Sequence, residues 1–316
     1  MRIDELAGLR IAVVDADEAV RTDWDACRPT GDVPSGEGID LVRVLDPPPG
    51  RWPDLAASGL LPRPDRVTWL AATGADDAGF LAGMSAKERQ GITLARRRAA
   101  KAGLTLSHEP LTPEALDTFL DLYEESVGEM PNGLAVARNH RDTIVAGIER
   151  FFIVGAYRDG VMQGAAIGEC CADIGVARLR FSAVTAEHRR ISLSRVLYLE
   201  AVRVVREAGY AKVTLGNDPN LYGHLVMPGL FAFKARLGFR PVPSTTVNAG
   251  DGQDVADRVL SMRALADPSF ALTYRDFRDR SGRELRFDFY SVDGQADTGL
   301  FTTCMPADVH IHRVEG

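Results

Sequence analysis

Apolar positions along residues 85–245 switch between periods of two and near four, and each switch marks an element. Phe151 to Tyr157 and Val161 to Cys171 are apolar runs joined by Arg158-Asp159-Gly160, and Asp-Gly between such runs predicts a β-hairpin. ARLRFSAVT, residues 177–185, sets Leu179, Phe181 and Ala183 opposite Arg178, Arg180 and Ser182, the alternation of a third strand. Residues 192–210, SLSRVLYLEAVRVVREAGY, have a helical period closed by Gly209. AKVTLGN then reads as a strand, GLFAFKARLGF as a helix ending at Gly238, and RPVPSTTVNA as a last strand.

Upstream, Ser85 followed by Glu88 forms a capping box that opens a helix over 86–102. LTLSHEPL reads as a strand, Thr112-Pro113-Glu114 starts a helix over 113–127, and RDTIVAGIERF predicts another. Before residue 84, LRIAVVD and LVRVL are short strands broken by a Gly, Pro, Asp and Ser loop from Arg28 to Glu37. After 245, RELRFDFYSV and VHIHRV add further strands. The expected architecture is a mixed α/β sheet with helices on its faces. It divides into a small N-terminal α/β unit (1–84), a central domain (85–245) and a C-terminal β-rich extension (246–316).

Composition narrows the function. The formal charge of -7 over 316 residues gives no overall positive field to gather DNA or RNA. The strip KERQGITLARRRAAK, residues 87–101, is locally basic, with Lys87, Arg89, Arg96, Arg97, Arg98 and Lys101. The N-terminus lacks a signal-peptide pattern and no apolar stretch approaches the roughly 18 residues of a membrane span, so a soluble, cytoplasmic protein without a membrane partner is expected. Cys27, Cys170, Cys171 and Cys304 are irregularly spaced and read as free thiols, with no zinc pattern. His310 and His312 share a strand face with Asp308, but without a third ligand phrase no metal is expected.

The element order, with the closing phrase AFKARLGFRPV, resembles the GNAT acyltransferase superfamily over roughly residues 85–245. The resemblance implies a sheet splayed between two central strands, an acyl-CoA co-substrate, and a pyrophosphate-binding loop of the form R/Q-x-x-G-x-G/A opening the long helix. The matching stretch is Arg189-Arg190-Ile191-Ser192-Leu193-Ser194, where serine replaces both glycines. Arg189, Arg190, Ser192 and Ser194 are therefore candidate coenzyme A contacts; Ser192 as a simple helix cap is the competing reading.

The phrase Gly-Leu-Phe-x-Phe-Lys-x-x-x-Gly-Phe is similar to that of the Fem-type transferases, tandem GNAT-like proteins that use aminoacyl-tRNA. That resemblance implies an oxyanion-stabilising role for Lys234, preceded by Phe233, and makes tRNA a possible partner of the basic strip. That family has a full first GNAT-like domain where 84 residues precede Ser85 here, and the coiled-coil arm that many of its members insert is not expected. Among other groups suited to acyl transfer, Glu169 follows an apolar strand and could act as base. NDPNLYGH, residues 217–224, is expected to be a loop beyond the strand end, where ligands gather. Its Tyr222 is the choice for the acid, since the resemblance implies that a tyrosine after this strand protonates the leaving thiolate. The expectation is an N-acyltransferase acting on a small-molecule or peptide amine with acyl-CoA. An aminoacyl-tRNA-dependent transferase and a non-catalytic GNAT-like binding domain are the alternatives.

Overall fold

The computed structural model describes residues 1–28, 38–129, 136–277, 284–299, 301 and 308–315; most of the expected 28–37 loop and Cys304 lie outside them. The elements begin with β1 (Arg2–Leu6), β2 (Leu9–Val14), α1 (Ala16–Arg21), β3 (Leu41–Leu45), α2 (Trp52–Ala57), β4 (Leu61–Pro64), β5 (Arg66–Ala72), α3 (Asp77–Leu81) and α4 (Ala86–Lys101). Next come β6 (Thr105–Pro110), α5 (Pro113–Gly128), α6 (Arg141–Ala146), β7 (Phe151–Arg158), β8 (Val161–Cys171), β9 (Val176–Val184), α7 (Ala186–Arg189) and α8 (Leu193–Glu207). The chain continues through β10 (Lys212–Pro219), α9 (Pro228–Arg236), β11 (Arg240–Pro243), β12 (Asp254–Val259), β13 (Ser269–Tyr274), β14 (Leu285–Ser291) and β15 (Val309–Arg313).

Two compact units result, and neither is one continuous segment. The first holds residues 1–68, 217–235 and 241–316; the second holds 69–216 and 236–240. Residues 217–235, which the sequence division leaves in the central domain, thus cluster with both ends of the chain. Their aromatic side chains are the cause. Tyr222 stacks on Phe270 at 4.8 Å and Phe231 meets Phe270 and Phe287 edge-on at 5.0 and 5.5 Å, and these fully buried rings belong to β13 and β14.

In the first unit, β12 is inserted between β3 and β4 in the order β1-β2-β3-β12-β4, antiparallel to both neighbours. The register sets Asp257 directly opposite Arg43 and one diagonal step from Arg63, close enough on one sheet face for opposite charges to pair. Asp257 takes Nε and Nη2 of Arg43 at 2.8 and 2.7 Å and also pairs with Arg63. A separate sheet runs β13-β14-β15.

The second unit holds most of a sheet of seven strands, ordered β11-β5-β10-β9-β8-β7-β6. β7, β8 and β9 form the antiparallel meander expected from the sequence. The β7–β8 turn uses Asp159 and Gly160 with φ of 52° and 78°, which is why Asp-Gly favours this hairpin. β9 and β10 pair in parallel through Val213–Ala177 and Thr214–Arg178, a two-residue ladder between strands that both run on. That short ladder is the splay implied by the resemblance. α8 buries Leu193, Val196, Leu197, Leu199, Ala201, Val202 and Val205 along one face, each larger side chain contributing about 1.5–3 kcal/mol.

α4 packs against α8. Ser85 caps it by accepting the Glu88 N–H at 3.2 Å. The Glu88 side chain pairs with Arg195 of α8 at 2.6 Å, so the sequence pattern of a capping box serves half as a cap and half as an interhelical tie. Gly91 permits this, since a Cβ there would stand 3.1 Å from Nη1 of Arg195.

Candidate active site

Asp218 lies in the last part of β10 and Lys234 near the end of α9, both in the first unit. Nζ of Lys234 donates to Oδ1 of Asp218 at 2.6 Å, and the hydroxyl of Tyr222 donates to Oδ2 of the same carboxylate at 3.2 Å. All three are buried, Tyr222 completely and Lys234 to 8% exposure. Burial pushes the Lys234 ammonium below its ordinary value, against the pull of Asp218. A snorkelling surface lysine would keep its charge in water; this one is held inside by a carboxylate, an arrangement with a high electrostatic stake.

The segment predicted as a loop after β10 is partly strand, since β10 continues through Asn217, Asp218 and Pro219. That extension carries Asp218 to its position. Asp218 was within view as a member of that segment, but nothing in the sequence singled it out. Its available signal was a strand-end acid four residues before Tyr222 and sixteen before Lys234. His224, in contrast, is half-buried and its Nε2 lies 3.2 Å from the Ala7 carbonyl. Phe233 is half-buried on α9 beside Lys234.

Glu169 is on β8 in the second unit, 6% exposed. Oε2 accepts from Arg180 at 2.9 Å and Oε1 faces Arg150 at 3.5 Å. The sequence suggests a carboxylate among apolar neighbours, whereas Arg180 of β9 and Arg150, just before β7, flank it. It is ion-paired in this arrangement.

The start of α8 differs from an ordinary cap. Ser192 occupies the Ncap position with φ 62° and ψ 37° and makes no side-chain cap hydrogen bond, so the simple cap expected as one reading is not formed. Left-handed backbone is where glycine is favoured, and Ser192 stands at the first glycine position of the resembled loop. The N–H groups of Leu193 and Ser194 have no intrahelical acceptor by helix geometry. Arg189 donates through Nη2 to the Ser126 carbonyl and hydroxyl, both at 3.1 Å, and to Glu129 at 3.3 Å. Nε of Arg189 and Nε2 of His188 are buried without a hydrogen-bond partner among the described residues. Arg190 is exposed and Ser194 half-buried.

The basic strip is the outer face of α4. Arg96 is engaged with Asp77 at 2.8 Å and Arg89 with the Met84 carbonyl at 2.5 Å, leaving Lys87, Arg97, Arg98 and Lys101 exposed. Lys87, Arg97 and Arg236 border a depression of about 490 Å³ with the Glu88–Arg195 pair. Among the described residues no cluster of three or more metal-ligating side chains occurs; His312 is instead bound to Asp288 at 2.7 Å. Among the described residues no helix is long and apolar enough to cross a membrane.

Residues 86–224 match the family model described as acetyltransferase (GNAT) domain. No curated protein matches the chain. Among solved structures, it is similar to FemX at 13% identity, with 82% of this chain and 83% of that one covered and a TM-score of 0.47. L-PGS from Bacillus licheniformis is 15% identical over 69% of this chain and 68% of its own, with a TM-score of 0.41. The PaiA N-acetyltransferase from Thermoplasma acidophilum, in complex with coenzyme A, is 18% identical over 49% of this chain and 99% of its own, with a TM-score of 0.33.

Proposed function

We propose that this acyltransferase moves an acyl group from an acyl-CoA to an amine of a small molecule or peptide, a reading supported by the match of residues 86–224 to the acetyltransferase (GNAT) domain model. The observation that supports coenzyme A is the start of α8. A left-handed, uncapped Ser192 leaves backbone N–H groups open beside the unpartnered Nε of Arg189 and Nε2 of His188. Open helix N-termini with an adjacent guanidinium suit a pyrophosphate. Arg190 adds an exposed charge, and Ser194 a second hydroxyl.

In the proposed reaction the amine adds to the thioester carbon, and negative charge develops on the carbonyl oxygen. Lys234, held in place by Asp218, is the group that the resemblance to the Fem-type transferases proposes as the donor for that charge. Tyr222 acts by positioning: its hydroxyl is committed to Asp218 and its ring is wholly buried, so the role of acid passes from it to another group. Collapse of the intermediate expels the coenzyme A thiolate, and the proton lost by the ammonium nucleophile completes the thiol.

The test is a calorimetric titration with acetyl-CoA, with wild type and two variants. Wild type is expected to bind at micromolar concentration, and Arg189→Ala with Arg190→Ala to bind at least about tenfold more weakly. Lys234→Met is expected to keep binding while turnover of an amine acceptor falls by about 10² to 10³. Absence of acetyl-CoA binding would overturn the reading. A second reading, transfer from aminoacyl-tRNA, draws on the exposed Lys87, Arg97, Arg98 and Lys101 of α4. RNA affinity falling steeply with salt, together with no response to acetyl-CoA, would select it.

A further inference from the structure

A pocket of about 180 Å³ lies in the first unit, apart from the Lys234 side chain and outside every role assigned above. Leu6, Leu9, Ile11, Leu221 and Leu225 give it an aliphatic wall, with Leu6 and Leu225 forming an exposed lip. Arg43, Arg63, Asp65 and Arg66 line the polar part.

The charges there do not cancel. Arg43, Arg63 and Arg66 stand against Asp65 and Asp257, leaving one positive charge in excess; Asp4, opposite Ile11 on the neighbouring strand, also acts on Arg43 but is itself paired with Arg2 at 2.8 Å. Arg63 is spent: it binds Asp257, the Asn220 carbonyl at 2.8 Å and the Pro64 carbonyl at 3.2 Å. Asp65 accepts the Gln253 N–H through Oδ1 at 2.9 Å, and His224 lies against the Ala7 carbonyl. Arg43 uses Nε and Nη2 on Asp257, and its Nη1 has no hydrogen-bond partner among the described residues. The Arg66 side chain is exposed and likewise uncommitted among them. Asp257 locks Arg43 in one orientation, so an available guanidinium edge is presented without the entropy cost a free arginine would carry.

We propose that this pocket binds a small aliphatic carboxylate, its oxygens on Arg43 and Arg66 and its chain against the leucine wall. An apolar cavity of about 150 Å³ holds benzene, so the volume suits a ligand of about eight non-hydrogen atoms. Branched four- or five-carbon chains bearing one carboxylate fit that description. Pro219, Asn220 and Leu221, which line the pocket, lie in sequence between Asp218 and Tyr222 of the Lys234 site. Occupancy of the pocket is therefore placed to bear on the position of that carboxylate.

The test uses the full chain and calorimetry with 4-methylpentanoate and its neutral isostere 4-methylpentanamide. The acid is expected to bind, and the amide at least about tenfold more weakly, the worth of a charge-assisted hydrogen bond. Arg66→Gln, a change at an exposed side chain, is expected to weaken the acid about tenfold and leave the amide unchanged. Leu225→Asn is expected to weaken both. Equal binding of acid and amide, no binding of the acid, or an acid affinity untouched by Arg66→Gln would each overturn the proposal. None of these readouts depends on acetyl-CoA, so the acyl-donor reading fails or stands separately.

Discussion

At the scale of single residues, two buried carboxylates organise the first unit in different ways. Asp218 gathers Lys234 and Tyr222, while Asp257 gathers Arg43 and Arg63. Burial alone would push the Asp257 carboxyl up; the two guanidiniums overcome it and hold the group at about 2, below its ordinary 3.8. The folded state thus favours the ionised form more than the unfolded chain does. Its stabilisation, about 2 kcal/mol, is present above pH 3.8 and lost as pH falls towards 2. Urea unfolding followed from pH 5 to 2 is expected to show this loss in the wild type and a flatter profile in Asp257→Asn. That variant is also expected to be less stable at neutral pH, because the buried Arg63 and the half-buried Arg43 lose their counter-charge. A wild-type profile as flat as that of the variant would count against the assignment.

At the scale of elements, the start of α8 is the most informative. Left-handed backbone at a non-glycine residue costs about 1–2 kcal/mol, and Ser192 adopts it without the offset of a side-chain cap bond. Ser192→Gly is expected to raise stability by about 1 kcal/mol while leaving acetyl-CoA affinity within a factor of about two, because the backbone donors are kept. Paired thermal melts and titrations measure both quantities. A loss of affinity in the glycine variant would mean that the serine hydroxyl, rather than the backbone, meets the donor. α4 carries a similar lesson. The pattern Ser85–Glu88 correctly marks its start, yet the acid's partner is Arg195 on α8, which local spacing cannot reveal.

At the scale of the whole molecule, the interleaved units set what can be cut away. Tyr222 and Phe231 have their ring partners on β13 and β14, beyond residue 245. A fragment of residues 85–245 would expose those rings, although it contains the entire GNAT match. It is expected to bind a hydrophobic dye and aggregate, whereas the full chain stays monodisperse; gel filtration with dye fluorescence distinguishes them. A fragment that is compact and dye-silent would show that residues 217–235 fold without the chain ends. The net charge of -7 also acts at this scale: RNA contact through the exposed face of α4 would work against the overall field.

Local physics made much of the fold legible. Period-two and near-four apolar patterns gave β7, β8, β9 and α8, because burying one face fixes the spacing along a strand or helix. Asp-Gly turns and helix-closing glycines gave their limits, since left-handed backbone has few other occupants. Lys234 was legible through a phrase, and the basic face of α4 through composition. Contacts distant in sequence were not. The return of β12 between β3 and β4 brings Asp257 some two hundred residues along the chain to Arg43 and Arg63, and chain spacing carries no trace of it. The same holds for the arginines around Glu169 and for the division of residues 217–235 from their sequence neighbours. Sequence determined the elements and their faces through local sterics and burial; tertiary structure alone decided which charges met, because pairing depends on the register and order of strands.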